Sequence, residues 1–149
     1  MYDRILVPTD GSAGVELTTE EATDLAAVSG ATIHGLYVVD TRDYSTLSES
    51  KWLPIETELE EAGERALAEI ERAATDAGVE STTAIERGIP HEEILKYVDA
   101  HAIDLVVMGT HGRTGLNRFL IGSVTEKVVR SAEVPVLVVH IAADAGSEE

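Results

Sequence analysis

Five short strand-like runs, separated by longer helical stretches, constrain this chain more than any other feature of its sequence. The runs are 4–8 (RILVP), 32–39 (TIHGLYVV), 80–87 (ESTTAIER), 104–108 (DLVVM) and 134–140 (VPVLVVH). A strand with one wet face alternates apolar and polar residues, whereas a strand covered on both faces reads as a continuous apolar run. Four of the five runs are of the second kind. The third is more polar and suits a sheet edge. Helical patterns fill 13–29, 54–77, 90–101 and 122–131. Gly30 and Gly78 follow the first two as terminators, and Pro90 suits a first helical position with Glu92 and Glu93 in the first turn. Strands that alternate with helices imply a parallel sheet with helices on both faces. In the first helix the apolar positions include Val15, Leu17, Ala22, Leu25, Ala26 and Val28. In the second, Leu59, Ala62, Ala66, Leu67 and Ile70 fall on one side. The polar, mixed stretch 40–53 reads as a loop. The 149 residues fit one domain, over 1–141, with 142–149 as an acidic tail.

Composition narrows the function classes. Aromatic residues make up 4% against 44% hydrophobic residues overall, so the core is aliphatic. With no cysteine, disulfides, thiolate catalysis and cysteine-bound zinc are excluded. The five histidines are scattered and form no metal-binding pair. Asp and Glu number 28 against 11 Lys and Arg, a net charge of −17. Such a surface repels nucleic acid and anionic membranes. It fits either an acidic partner-binding face or a salty cytoplasm that screens self-repulsion. The even spread of the charge favours the second. No apolar run approaches the roughly 20 residues that span a bilayer, and the N-terminus runs straight into the first strand. The expectation is a cytoplasmic protein.

In open parallel sheets ligands bind beyond the carboxyl ends of the strands. Two segments there carry chemistry. Pro8, Thr9, Asp10, Gly11 and Ser12 follow the first strand. After the fourth come Gly109, Gly112, Gly115 and Gly122 within fourteen residues. Glycines let backbone N–H groups approach an anion, and a helix opening at Ser123 offers more. Thr110, Ser123 and Thr125 add hydroxyls, and Arg113 adds charge. A ligand-free reading stands beside this one: SVTE at 123–126 matches a capping box, and Asp10 suits a helix N-cap. The second segment is no P-loop, and the first strand lacks the dinucleotide fingerprint Gly-x-Gly-x-x-Gly. Neither Ser12 nor Ser123 has an evident base nearby, so no catalytic set emerges.

The spacing Gly109-x2-Gly112-x9-Gly122-Ser123 resembles the signature loop of the nucleotide-binding universal stress proteins. RILVPTDGS, GLYVVD, GIPHEEIL, DLVVMGTHGRTGLNRFLIGSVTEKVV and VPVLVV resemble other segments of that family, in order and over nearly the whole chain. The resemblance implies a three-layer, Rossmann-like fold of the adenine nucleotide alpha-hydrolase type, with strand order 3-2-1-4-5. It implies ATP, ADP or AMP as ligand, with Mg2+ carried through the phosphates, and binding with at most slow hydrolysis. Asp10 would meet the ribose or the adenine edge, and Pro8 and Thr9 would line the base pocket. The backbone of Val38 would read adenine. Met108 and Gly109 would flank the sugar and phosphates, while Gly112, Arg113, Gly122, Ser123, Val124 and Thr125 would cradle the phosphates. A homodimer would form through the run 134–139, which begins at Val134 and ends at Val139. Two other readings remain open: a nucleotide-free interaction module of the same fold, and a nucleotide-dependent enzyme built on it.

Overall fold

The structure is a computed structural model that describes residues 1–12, 14–44, 46–110 and 122–141. Five strands, β1 (Arg4–Thr9), β2 (Thr32–Asp40), β3 (Ser81–Gly88), β4 (Leu105–Gly109) and β5 (Val136–Val139), form one sheet in the order β3-β2-β1-β4-β5. Every neighbouring pair is parallel. Four α-helices make the crossovers: α1 (Val15–Ser29), α2 (Glu49–Asp76), α3 (Pro90–Ala100) and α4 (Ser123–Ser131). The architecture is the one the sequence implies, and most element ends fall within two residues of expectation.

The continuous apolar runs divide their side chains between two cores. Ile5, Val7, Ile33, Val39, Leu105 and Val107 pack under α1 and α2, with Ala22, Ala26, Leu67 and Ile70 facing them. Their alternate neighbours Leu6, Leu36, Val106 and Met108 pack under α3 and α4, against Ile94, Tyr97, Val98 and Val128. The period-2 alternation of strand side chains thus puts apolar residues on both faces of the central strands. The polar β3 lies at one edge and the four-residue β5 at the other.

Two helices depart from the sequence pattern. On α1 the buried face is Thr18, Thr19, Ala22, Thr23 and Ala26, while Leu17 and Val28 are 48% and 77% exposed. Thr23 satisfies its hydroxyl by donating to Glu20 O at 3.1 Å, so its methyl can be buried. α2 begins at Glu49, ahead of Pro54, which stands exposed inside the helix. Proline removes one helical hydrogen bond, at a cost of about 3 kcal/mol in a helix interior. The extra turn is held by tertiary packing: Trp52 stacks on Tyr44 with ring centroids 5.7 Å apart, and Tyr44 Oη donates to Glu56 at 2.9 Å. Residues 40–53 are therefore a short 3-10 turn (Thr41–Asp43) and the start of α2, rather than a loop throughout.

One polar group in the second core sets a pH dependence. His34 on β2 is buried, and its Nδ1 is 2.8 Å from Tyr97 Oη. His101 stacks on Tyr97 with centroids 3.7 Å apart. Burial holds the His34 imidazole below its ordinary pKa of 6.5, with repulsion from His101 and Arg4 adding to it. Below pH 6.5 the unfolded chain takes up a proton that the native state refuses, so stability falls as pH falls through that value. Thermal midpoints should drop between pH 7.5 and 5.5, and a His34→Gln variant should flatten part of that slope. An identical slope in the variant would remove His34 as its source.

Candidate functional site

β1 and β4 are neighbours at the centre of the sheet, and the strand order reverses between them. Their carboxyl ends open into a cavity of about 360 Å³, within the usual size range for small-molecule pockets. Its walls come from several elements, with Val15 and Thr18 of α1 among them. β1 and its turn give Pro8, Thr9, Asp10 and Ser12; β4 gives Met108 and Gly109. β2 gives Leu36 and Val38, with Asp40 and Arg42 at its end, and α3 gives Pro90 and Ile94. The first turn of α4 gives Gly122, Ser123, Val124 and Thr125. The two ends therefore differ in chemistry. The β2–α3 end is mostly aliphatic, and the β4–α4 end is glycine, hydroxyl and backbone amide.

Local hydrogen bonds shape each wall. After β1, Thr9 Oγ1 accepts from Gly11 N at 3.0 Å and Asp10 Oδ1 accepts from Ser12 N at 2.9 Å. Asp10 thus closes a tight turn and is not the N-cap of α1, which is Gly14. The β1–β2 ladder ends at Thr9 opposite Tyr37, so Val38, Val39 and Asp40 run past β1 and pair in the sheet only with β3. This puts the β1-facing backbone of Val38 at the cavity wall, past the last pair of the β1–β2 ladder.

At the other end the capping box does not form. The N-cap of α4 is Gly122, Ser123 is the first helical residue, and no side chain caps the turn. Glu126 N makes the first intrahelical bond, to Gly122 O at 2.9 Å. The N–H groups of Ser123, Val124 and Thr125 are left to the helix end, where the helix dipole favours an anion. Thr125 is buried and its hydroxyl donates to Gly109 O at 2.9 Å, so its proton braces β4 against α4. Thr110 is also buried; its Oγ1 accepts from Ile141 N at 2.9 Å, and its carbonyl accepts from Gly122 N.

Ten of the twelve expected site residues thus line one cavity: Pro8, Thr9, Asp10 and Val38 around one half, and Met108, Gly109, Gly122, Ser123, Val124 and Thr125 around the other. The remaining two, Gly112 and Arg113, lie outside the described residues. The sequence reading missed Asp40 and Arg42, which stand at the end of β2, and Ile141. Ile141 is buried: a Cβ on Gly14 would come within 2.7 Å of its Cγ2, and it also fills the space beside Gly109. Tyr37 and Tyr44 are both buried, and neither lines the cavity. Among the described residues no cluster of three or more His, Asp or Glu could hold a metal ion, and no helix is long and apolar enough to cross a membrane.

Comparison with known proteins agrees with this layout. Residues 1–140 match the universal stress protein family. A universal stress protein of Methanocaldococcus jannaschii is 39% identical over 140 residues, covering 93% of this chain and 82% of the relative. The solved structure of a second universal stress protein of that organism superposes with a TM-score of 0.83 at 34% identity, over 93% of this chain and 96% of the other. A universal stress protein solved in complex with cAMP superposes with a TM-score of 0.70 at 25% identity, over 95% and 98% of the two chains.

Proposed function

This chain belongs to the universal stress protein family, and on that footing we propose that it is a regulatory protein that binds an adenine nucleotide, ATP foremost, in the cavity between β1 and β4. The observation that carries the reading is the opposition of the two cavity ends. A planar, apolar base suits the half lined by Leu36, Val38, Pro90 and Ile94. The backbone of Val38, which faces the β1 side, would meet the base's edge. Asp10 stands between the two ends, where a carboxylate accepts from ribose hydroxyls. The first turn of α4 then receives phosphate with N–H groups that no side chain has claimed. The cAMP complex of a relative supports the adenine assignment.

Mg2+ would ride on phosphate oxygens and water, in keeping with its preference for few protein ligands. Asp10 is one of two carboxylates among the described residues that line the cavity, and its Oδ1 already accepts from Ser12 N. A binding role with at most slow hydrolysis follows. Self-association through β5 belongs to the same reading: β5 is a sheet edge, with Leu137 exposed on it and Val129 exposed on the adjacent α4.

Native mass spectrometry of freshly purified protein tests both parts. The expected spectrum shows a dimer carrying an adenine nucleotide, and denaturation releases material absorbing near 260 nm. Protein that is empty as purified and gives no heat with ATP, ADP, AMP or cAMP in calorimetry would sink the nucleotide reading and leave the interaction module. Sustained ATP turnover would instead favour an enzyme.

A further inference from the structure

The nucleotide-binding reading needs a surface against the face of the base, and the described residues of the cavity supply none of the usual kind. Among the described residues that line it, none is aromatic. One planar side chain lines it at the β2 end, that of Arg42. We propose that the Arg42 guanidinium, held flat by Asp40, stacks on the nucleobase and is the residue through which this site selects a base-bearing ligand.

The geometry of the pair supports this role. Arg42 Nε donates to Asp40 Oδ1 at 2.9 Å and Nη2 donates to Oδ2 at 2.7 Å, a two-pronged pairing that fixes the guanidinium plane against the carboxylate. Arg42 N donates to the same Oδ1 at 3.0 Å, so Asp40 also caps the turn that carries Arg42. The segment is anchored a second time: Tyr44 is buried against Trp52, and Glu56, which accepts from Tyr44, is also ion-paired to Arg87 at 3.0 Å. The guanidinium is therefore presented from a braced turn, although its own side chain is 53% exposed.

Hydrogen bonding at the edge is compatible with stacking, because N–H groups lie in the guanidinium plane while a base lies against its face. The carboxylate also balances the cation, so a neutral base meets a paired plane rather than an isolated charge. Leu36, Val38, Pro90 and Ile94 supply aliphatic surface to the same half of the cavity. A base entering there would lie between that surface and Arg42. The sheet order puts Arg42 at the opposite end of the cavity from α4, which makes it a base contact rather than a phosphate contact.

This inference rests on the nucleotide-binding reading, and calorimetric titration of ATP, AMP and adenosine separates the two. The wild-type arm tests nucleotide binding itself. The Arg42→Lys arm tests stacking, since lysine keeps the charge and loses the plane. The expected result is a loss of about tenfold, by a similar factor for ATP and AMP, with an unchanged thermal midpoint. Wild-type affinity in the variant would overturn the proposal. So would a loss that grows steeply with phosphate number, which would make Arg42 a phosphate contact.

Discussion

A Ser123→Glu variant should fold as well as the wild type and lose ATP affinity by at least about a hundredfold. Ser123 is the exposed first residue of α4 and lines the amide end of the cavity. A carboxylate there is favourable for the helix, since acidic groups stabilise a helix N-terminus by roughly 0.3–1 kcal/mol. The same carboxylate would occupy the hollow that phosphate needs. Two like charges about 4 Å apart repel by about 4 kcal/mol at an effective dielectric constant near 20. Salt reduces that figure, and a hundredfold corresponds to only about 2.7 kcal/mol. Adenosine, with no phosphate, should bind the variant and the wild type nearly alike. A folded Ser123→Glu protein that holds ATP as tightly as the wild type would show that the phosphates lie elsewhere.

The second large effect concerns stability. α2 crosses β2 at close range because two glycines face each other's neighbours: Gly35 beneath Leu67, and Gly63 over the ring of Tyr37. A Cβ on Gly63 would fall 2.6 Å from Tyr37 Cδ1 and 2.8 Å from Cγ. These atoms belong to the base of a buried ring, with 3% exposure, and not to a flexible side-chain end. Overpacking of this kind costs about 1–3 kcal/mol, and alanine returns at most about 1 kcal/mol through helix propensity. Gly63→Ala should therefore lose up to about 2 kcal/mol, a fall in thermal midpoint of roughly 4–8 °C for a chain of this size. Adding Tyr37→Leu to Gly63→Ala should recover part of the loss, as a double-mutant cycle with a non-zero coupling. If the single variant melts at the wild-type temperature, the close approach of α2 to β2 is not as tight as described.

Strand identity and the layered architecture were legible because strands covered on both faces have few ways to be written. DLVVM and RILVP admit little besides a buried strand, and glycines and Pro90 mark the ends of the helices between. The site was legible for a related reason: Asp10, Gly109 and Gly122 flank strand ends, and a parallel sheet brings those ends together. What stayed hidden depends on tertiary contacts. The buried face of α1 was not legible, because Leu17 and Val28 outrank threonine in hydrophobicity, yet the packing between α1 and the sheet takes Thr18, Thr19 and Thr23. The early start of α2 depends on Trp52 meeting Tyr44, a contact no local propensity encodes. Asp40 and Arg42 sit in a stretch whose composition is that of a loop. The spacing Asp-x-Arg is common, and only the cavity on their inner side gives it meaning. The capping-box pattern at 123–126 was a false match, since Gly122 takes the cap position and frees Ser123.

The Tyr44–Trp52 stack has a practical consequence. Trp52 is the single tryptophan of the chain, and it is packed on the turn that carries Arg42. Emission excited at the red edge, where the four tyrosines do not absorb, therefore comes from one fluorophore next to the cavity rim. Any displacement of that rim as a ligand enters would register as a spectral change without a label, and the signal would report one turn of chain instead of an average over the molecule.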